Sequence, residues 1–240
     1  PLDQRVQLVE AGGANLASID LNGDGWDILY FEPGIHDIGA GFPVHQGKSY
    51  YIPGDAIVYG ALRNDDWNNG NNIRIFGFGT LSGARLAHPL HTSPPLIDQT
   101  MHNPINIAGA YDTSVEGITI ADSAHHSLML YAGYDPSQPT DIRWVKIFTW
   151  RGNGDGINPF GNVRIEDSFM RTQDDASYVG GRGFSRVTMW NDANGTAFLM
   201  TGVGCYGLEG CSASGFWAPT VTVEDSDVLY SRAAWDLWNG

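Results

Sequence analysis

A chain of 240 residues, 42% hydrophobic and 17% charged, is long enough for one substantial core and too apolar to be a disordered tract. Its formal charge of −14, from 13 basic against 27 acidic residues, repels nucleic acid, anionic membrane and polyanionic polysaccharide, so a neutral partner is favoured. Thirty-one glycines and twelve prolines among many Asn and Asp demand frequent turns and favour an all-β fold of short strands.

Along the chain, Asp20-Leu21-Asn22-Gly23-Asp24-Gly25 imitates the first half of a calcium loop, with oxygens at positions 1, 3 and 5 and Gly at 6. Position 12 is Phe31, so the bidentate Glu is missing and a tight turn between strands is the better account; no metal is expected. Residues 19–60, with Ile28-Leu29-Tyr30-Phe31, Glu32-Pro33-Gly34-Ile35 and Tyr51-Ile52-Pro53-Gly54, read as the entrance to a repeat array, with Pro-Gly pairs at its corners. The array itself is a recurring strand phrase of alternating apolar and polar residues, as in Gly117–Ser123, Val163–Ser168 and Val221–Ser226. Marked by their central apolar residues, the copies are Ile75, Ile120, Val145, Ile165, Met189 and Val223, with gaps of 45, 25, 20, 24 and 34.

A period of roughly 20 to 25 residues predicts a solenoid. Alternation within each copy predicts strands, so residues 1–240 are expected to form a single right-handed parallel β-helix wound around an apolar interior. A β-sandwich also has many short strands but no reason to repeat one phrase at near-constant period. The last repeat runs through Trp235-Asp236-Leu237-Trp238 without a visible cap, so further coils or a partner surface are expected to continue it.

The chemistry concentrates in Gly152-Asn153-Gly154-Asp155-Gly156-Ile157 and Thr172-Gln173-Asp174-Asp175-Ala176. Asp174 and Asp175 follow Asp155 by 19 and 20 positions, so rung stacking brings three carboxylates to one sheet, with a bulge needed to turn both neighbours toward solvent. Acid/base cleavage of a glycosidic bond requires one carboxyl to donate a proton and another to activate water, and clustered anions raise one another's proton affinity. Singly, each Asp is an ordinary turn residue; together at rung spacing they predict catalysis. Stacking places His125 or His126 one coil before Asp155 and Asn194 one coil after Asp174, as contacts for sugar hydroxyls or as solvated surface groups. Asn153 lies beside Asp155 as a further contact. Trp150, Tyr178 and Trp190 are candidate stacking platforms, with buried ladder positions as the alternative.

Gly180-Gly181-Arg182-Gly183 lacks the strand–loop–helix setting of a phosphate site, and no cofactor is expected. Cys205 and Cys211, the only cysteines, are expected to close a local disulfide in an oxidising compartment, against the alternative of two reduced thiols. The absence of a membrane-length apolar run, together with a start at Pro1, leads to the expectation of a processed, secreted, monomeric product.

Asn153-Gly154-Asp155-Gly156-Ile157, Gln173-Asp174-Asp175-Ala176 and Val187-Thr188-Met189-Trp190-Asn191 resemble the active-site coils of glycoside hydrolase family 49, the dextranases and isopullulanases. Similarity extends to residues 29–35, 51–56 and 77–83. The resemblance implies an inverting attack on α-1,6 linkages of dextran or α-1,4 linkages of pullulan, with Asp174 as general acid and Asp155 and Asp175 holding and deprotonating water. Inversion asks for roughly 6.5–9.5 Å between acid and base. The family usually carries an N-terminal β-sandwich and more coils, so the chain is expected to be part of a longer protein. Polygalacturonases are the nearest competitors, but their His-Gly and Arg-x-Lys motifs are missing and residues 194–202 hold no His or Lys for a uronate carboxylate. The non-enzyme alternative is a β-solenoid that binds carbohydrate without chemistry.

Overall fold

The computed structural model describes residues 4–87, 103–132, 137–201, 221–232 and 235–238. Every strand pairing among them is parallel, and the chain winds as a parallel β-solenoid with three faces. The first face is a sheet of nine strands, in order Val6–Val9, Ile28–Phe31, Ser49–Ile52, Arg74–Gly77, Ser114–Glu116, Thr140–Arg143, Val163–Glu166, Gly183–Ser185 and Thr222–Glu224. The second stacks Thr80–Ser82, Thr119–Ala121, Lys146–Phe148, Phe169–Thr172, Thr188–Asn191 and Asp227–Tyr230. The third stacks Ile105–Ala108, Leu128–Tyr131, Ile157–Phe160, Ser177–Tyr178, Phe198–Thr201 and Trp235–Trp238.

One long strand, Ala56–Asn64, pairs with both Thr80–Ser82 and Ile105–Ala108 and so fuses the second and third faces at that level. It turns the corner at Gly60, whose φ is +135° and where a Cβ would meet the Gly39 carbonyl at 2.3 Å; only glycine fits that bend.

Inward side chains form ladders because a parallel register places like residues above one another. Leu29, Tyr50, Ile75, Val115, Ile142, Ile165 and Phe184 make the ladder of the first face, and Leu81, Ile120, Ile147, Met170 and Met189 that of the second. All are buried in one continuous core, each contributing roughly 1.5–3 kcal/mol. The corner between these faces repeats a left-handed residue, with Gly117, Trp144, Asp167, Arg186 and Asp225 at φ of +79°, +56°, +49°, +54° and +50°. Four of these non-glycine conformations are unfavourable singly. The stack compensates at the first four by joining the corner N–H to the next coil, as in Trp144 N–H to the Glu166 carbonyl at 3.3 Å and Asp167 N–H to that of Ser185 at 3.0 Å.

The winding corrects the repeat as marked by sequence. Ile75, Ile165 and Val223 belong to the first face, Ile120 and Met189 to the second, and Val145 to the corner between them. True rung mates are Ile142, Ile165 and Phe184 on one face and Ile147, Met170 and Met189 on the other. Each coil carries two strands of the same alternation, so the phrase alone does not distinguish one face from its neighbour. Residues 19–60 are also no mere entrance, since the first face already begins at Val6–Val9. The calcium-like segment is a turn ahead of Ile28–Phe31, with Asp20 Oδ1 accepting from Asn22 N–H at 3.1 Å and Trp26 Nε1 donating to the Asp20 carbonyl at 3.0 Å. Cys205 and Cys211 lie outside the described residues. Among the described residues no helix is long and apolar enough to cross a membrane.

Candidate active site

The site is the corner between the second and third faces, where four successive coils contribute equivalent residues. Leu128, Ile157, Ser177 and Phe198 are register partners at the start of the third-face strands. Two residues ahead of each stand His126, Asp155, Asp175 and Thr196, one column; three ahead stand His125, Gly154, Asp174 and Gly195, a second column. Backbone bonds fix the stacking: Ser127 N–H donates to the Asp155 carbonyl at 3.0 Å, Gly156 N–H to that of Asp175 at 2.9 Å, and Ala176 N–H to that of Thr196 at 2.8 Å.

The three carboxylates are therefore brought together, but at a corner and not on a sheet. Asp174 and Asp175 lie between Phe169–Thr172 and Ser177–Tyr178, so the turn itself redirects the chain and no bulge is needed. Nor do they reach freely into solvent: Asp155, Asp174 and Asp175 are 3%, 8% and 8% exposed.

A repeated device closes these loops. In three coils a side chain at the end of the second-face strand, or just after it, bonds the carbonyl of its own corner: Thr149 to Gly154, Thr172 to Asp174 at 2.7 Å and Asn191 to Asn194 at 2.7 Å. Arg151 clamps the corner from outside, its Nη2 donating to Asp122 Oδ2 at 2.9 Å and to the Ala84 carbonyl at 2.8 Å.

Each carboxyl has its own partners. Asp175 Oδ1 accepts from Thr196 N–H at 2.7 Å and from its hydroxyl at 3.4 Å. Asp174 Oδ1 accepts from Asp175 N–H at 3.0 Å, and its Oδ2 from Asn194 Nδ2 at 2.9 Å. Asp155 Oδ2 lies 2.8 Å from His126 Nδ1, and Tyr178 and Asn158 also hydrogen-bond its carboxyl. In the second column, Gly195 at φ +70° leaves room that no other residue would: a Cβ there would meet Asp175 Oδ1 at 2.4 Å and Asp174 Oδ1 at 2.6 Å.

These surroundings shift proton affinity. Burial, and then the neighbouring Asp174, push Asp155 well above the usual carboxylate range. Asp175 is raised to about 7 by burial and by the charge of Asp155, against the bonds from Thr196. Burial lowers His126 to about 3, with Asp174 opposing, so its contact with Asp155 is not an ion pair of two full charges near neutral pH. The corner thus keeps at least one carboxyl protonated there.

The other expected contacts separate. His125 and His126 are 4% and 7% exposed, which corrects the reading of a solvated pair; they stand one coil before Asp155 as the spacing predicts, but inside the corner. Tyr178 is buried at the site, its ring 5.6 Å from that of His126. Asn194 is exposed and bound to Asp174. Asn153, at φ +57°, turns the loop that carries Asp155. Trp150 is 62% exposed at the rim of that loop, whereas Trp190 stands on the outer side of the second face under Arg171, 5.5 Å away. Sequence reasoning missed Thr196, Asn158 and Gly195; counting one further coil on from Asp174 and Asp175 finds Gly195 and Thr196.

No protein-family model matches the chain, and no curated protein matches it. Among the described residues no group of three or more His, Cys, Asp or Glu side chains stands where it could hold a metal ion.

Proposed function

We propose that the protein is an inverting glycoside hydrolase acting on a neutral α-glucan, with α-1,6-linked dextran first and pullulan second. The observation that carries the reading is the gathering of Asp155, Asp174 and Asp175 from two successive coils at one corner, with two of the three held above the usual carboxylate range. Such a cluster has both states that glycoside hydrolysis needs, a carboxyl that donates a proton to the leaving oxygen and a carboxylate that takes one from water. The resemblance to glycoside hydrolase family 49 supports Asp174 as the acid and Asp155 with Asp175 on the water side, whereas the raised proton affinity falls on Asp155 and Asp175 and by itself favours one of these two as the proton donor. A charge of −14 disfavours a uronate polymer, and exposed Trp150 is a fitting platform for a glucose face.

The near-complete burial of the carboxylates favours a second reading, a purely structural polar corner in a solenoid that binds carbohydrate without cleaving it. A reducing-sugar assay over dextran, pullulan, polygalacturonate and β-glucans separates the two. The hydrolase reading expects new reducing ends from dextran, lost by roughly 10²–10⁴-fold in Asp174→Asn. No product from any polymer, or full turnover in that variant, contradicts it.

A further inference from the structure

We infer that His126 is a positioning residue, one that shares a single proton with Asp155 and so fixes how that carboxyl faces Asp175, and that it does not touch the sugar. The inference rests on the hydrolase reading and deepens it.

The contact itself requires a proton. His126 Nδ1 and Asp155 Oδ2 are 2.8 Å apart with side chains only 9% and 4% exposed. Two lone pairs at that distance repel, and two full charges buried there carry a desolvation penalty of several kcal/mol per ion. One proton between the Asp155 carboxylate oxygen and the lone pair of an imidazole protonated only at Nε2 satisfies both atoms and leaves the pair neutral overall, and the lowered affinity of the ring agrees with it.

The pair is also held on every side. His126 stands directly over Asp155 in the column, and the two corners are tied by Ser127, whose N–H and hydroxyl both donate to the Asp155 carbonyl, at 3.0 and 2.6 Å. Ser123 supports that hydroxyl at 2.7 Å. The ring is wedged edge-on against His125 at 3.8 Å and Tyr178 at 5.6 Å, and the Asn158 amide nitrogen, which also hydrogen-bonds the Asp155 carboxyl, competes with that carboxyl for the single bonding site on Nδ1. The titratable groups around the pair are His125 in its own corner, Asp174 and Asp175 in the next and Tyr178 on the third face, while Asp122 and Arg151 pair with each other at the outside. An imidazole so enclosed, with its side chain 9% exposed, offers little edge to a sugar hydroxyl, yet its Nδ1 faces a carboxyl beside the reacting atoms. That is the arrangement by which a neighbouring group orients a catalytic one.

Two substitutions and one spectrum test this. His126→Ala should lower kcat on dextran by about a hundredfold with KM within about twofold of wild type. His126→Asn, whose amide can take the place of Nδ1, should recover most of that loss. Thermal melts of both variants show how much each is destabilised. A raised KM with kcat kept would make His126 a sugar contact and overturn the inference. So would equal kcat losses in both variants, which mark a structural role only, or wild-type kcat in the Ala variant. In 15N-histidine-labelled protein the His126 ring should stay neutral from pH 8 to pH 4, and its Nδ1 resonance should move in Asp155→Asn; titration near 6.5, or an unmoved resonance, contradicts the shared proton. The spectrum needs no turnover, so it tests the pair even if the wild-type protein cleaves no glucan, an outcome that counts against the hydrolase reading alone.

Discussion

Asp175→Asn is expected to stabilise the protein at pH 8 while removing turnover by roughly 10²–10⁴-fold. The carboxyl of Asp175 is raised from 3.8 to about 7 in the folded state. A carboxyl whose folded affinity for protons exceeds its unfolded one leaves stability whole below the unfolded value and erodes it as pH rises toward the folded value. Between about pH 4 and pH 7 the wild-type protein therefore loses stability, because the unfolded chain gives up the Asp175 proton while the folded corner still holds it, and the loss levels off above about pH 7. An Asn does not titrate, and its oxygen still accepts the Thr196 N–H now donating to Asp175 Oδ1 at 2.7 Å. The gain at pH 8 should be on the order of 2–4 kcal/mol, or roughly 5–10 °C in Tm for a domain of this size, and should shrink to near zero at pH 4. Thermal melts of both proteins at the two pH values check this. A variant less stable than wild type at pH 8, or a gain independent of pH, would show that Asp175 is not a destabilised buried acid.

Gly195→Ala should damage the site from the opposite direction. At φ +70° an alanine is strained by roughly 1–2 kcal/mol, and its Cβ would fall 2.4 Å from Asp175 Oδ1, 2.5 Å from Asp175 N and 2.6 Å from Asp174 Oδ1. Relief demands that both carboxyls move or that the corner opens. Turnover should fall by about a hundredfold or more, together with a loss of a few kcal/mol in stability measured by urea unfolding. Near-wild-type kcat in this variant would mean that the positions of these two oxygens do not govern the chemistry.

Much of the architecture was legible because the first two faces have one wet side. Arg164 and Glu166 face outward beside buried Ile165, and this alternation is what a sequence displays. The third face hides it. Leu128–Tyr131 and Ile157–Phe160 are buried at every position, since Met129, Tyr131, Phe160, Tyr178 and Leu199 form a second apolar cluster outside the solenoid with Trp67 against it. Strands buried on both sides carry no period-2 signal.

The same asymmetry governs the site. The 20-residue step from Asp155 to Asp175 was readable as one coil, and the structure places that pair in one column with Asp174 beside it. The burial of His125 and His126 was not readable, because it depends on Tyr178 and Asn158 arriving from other coils. Adjacent Asp174 and Asp175 suggested a bulged strand, but the alternation rule behind that expectation applies within strands, and a corner obeys no such rule.

The central claim is that the corner of Asp155, Asp174 and Asp175 hydrolyses an α-glucan by a single displacement. Proton NMR of the first reducing ends released from α-1,6-linked dextran tests it most directly. The β-anomer should appear first and mutarotate afterwards; initial release of the α-anomer, or no new reducing end at all, would rule out hydrolysis by inversion at this corner.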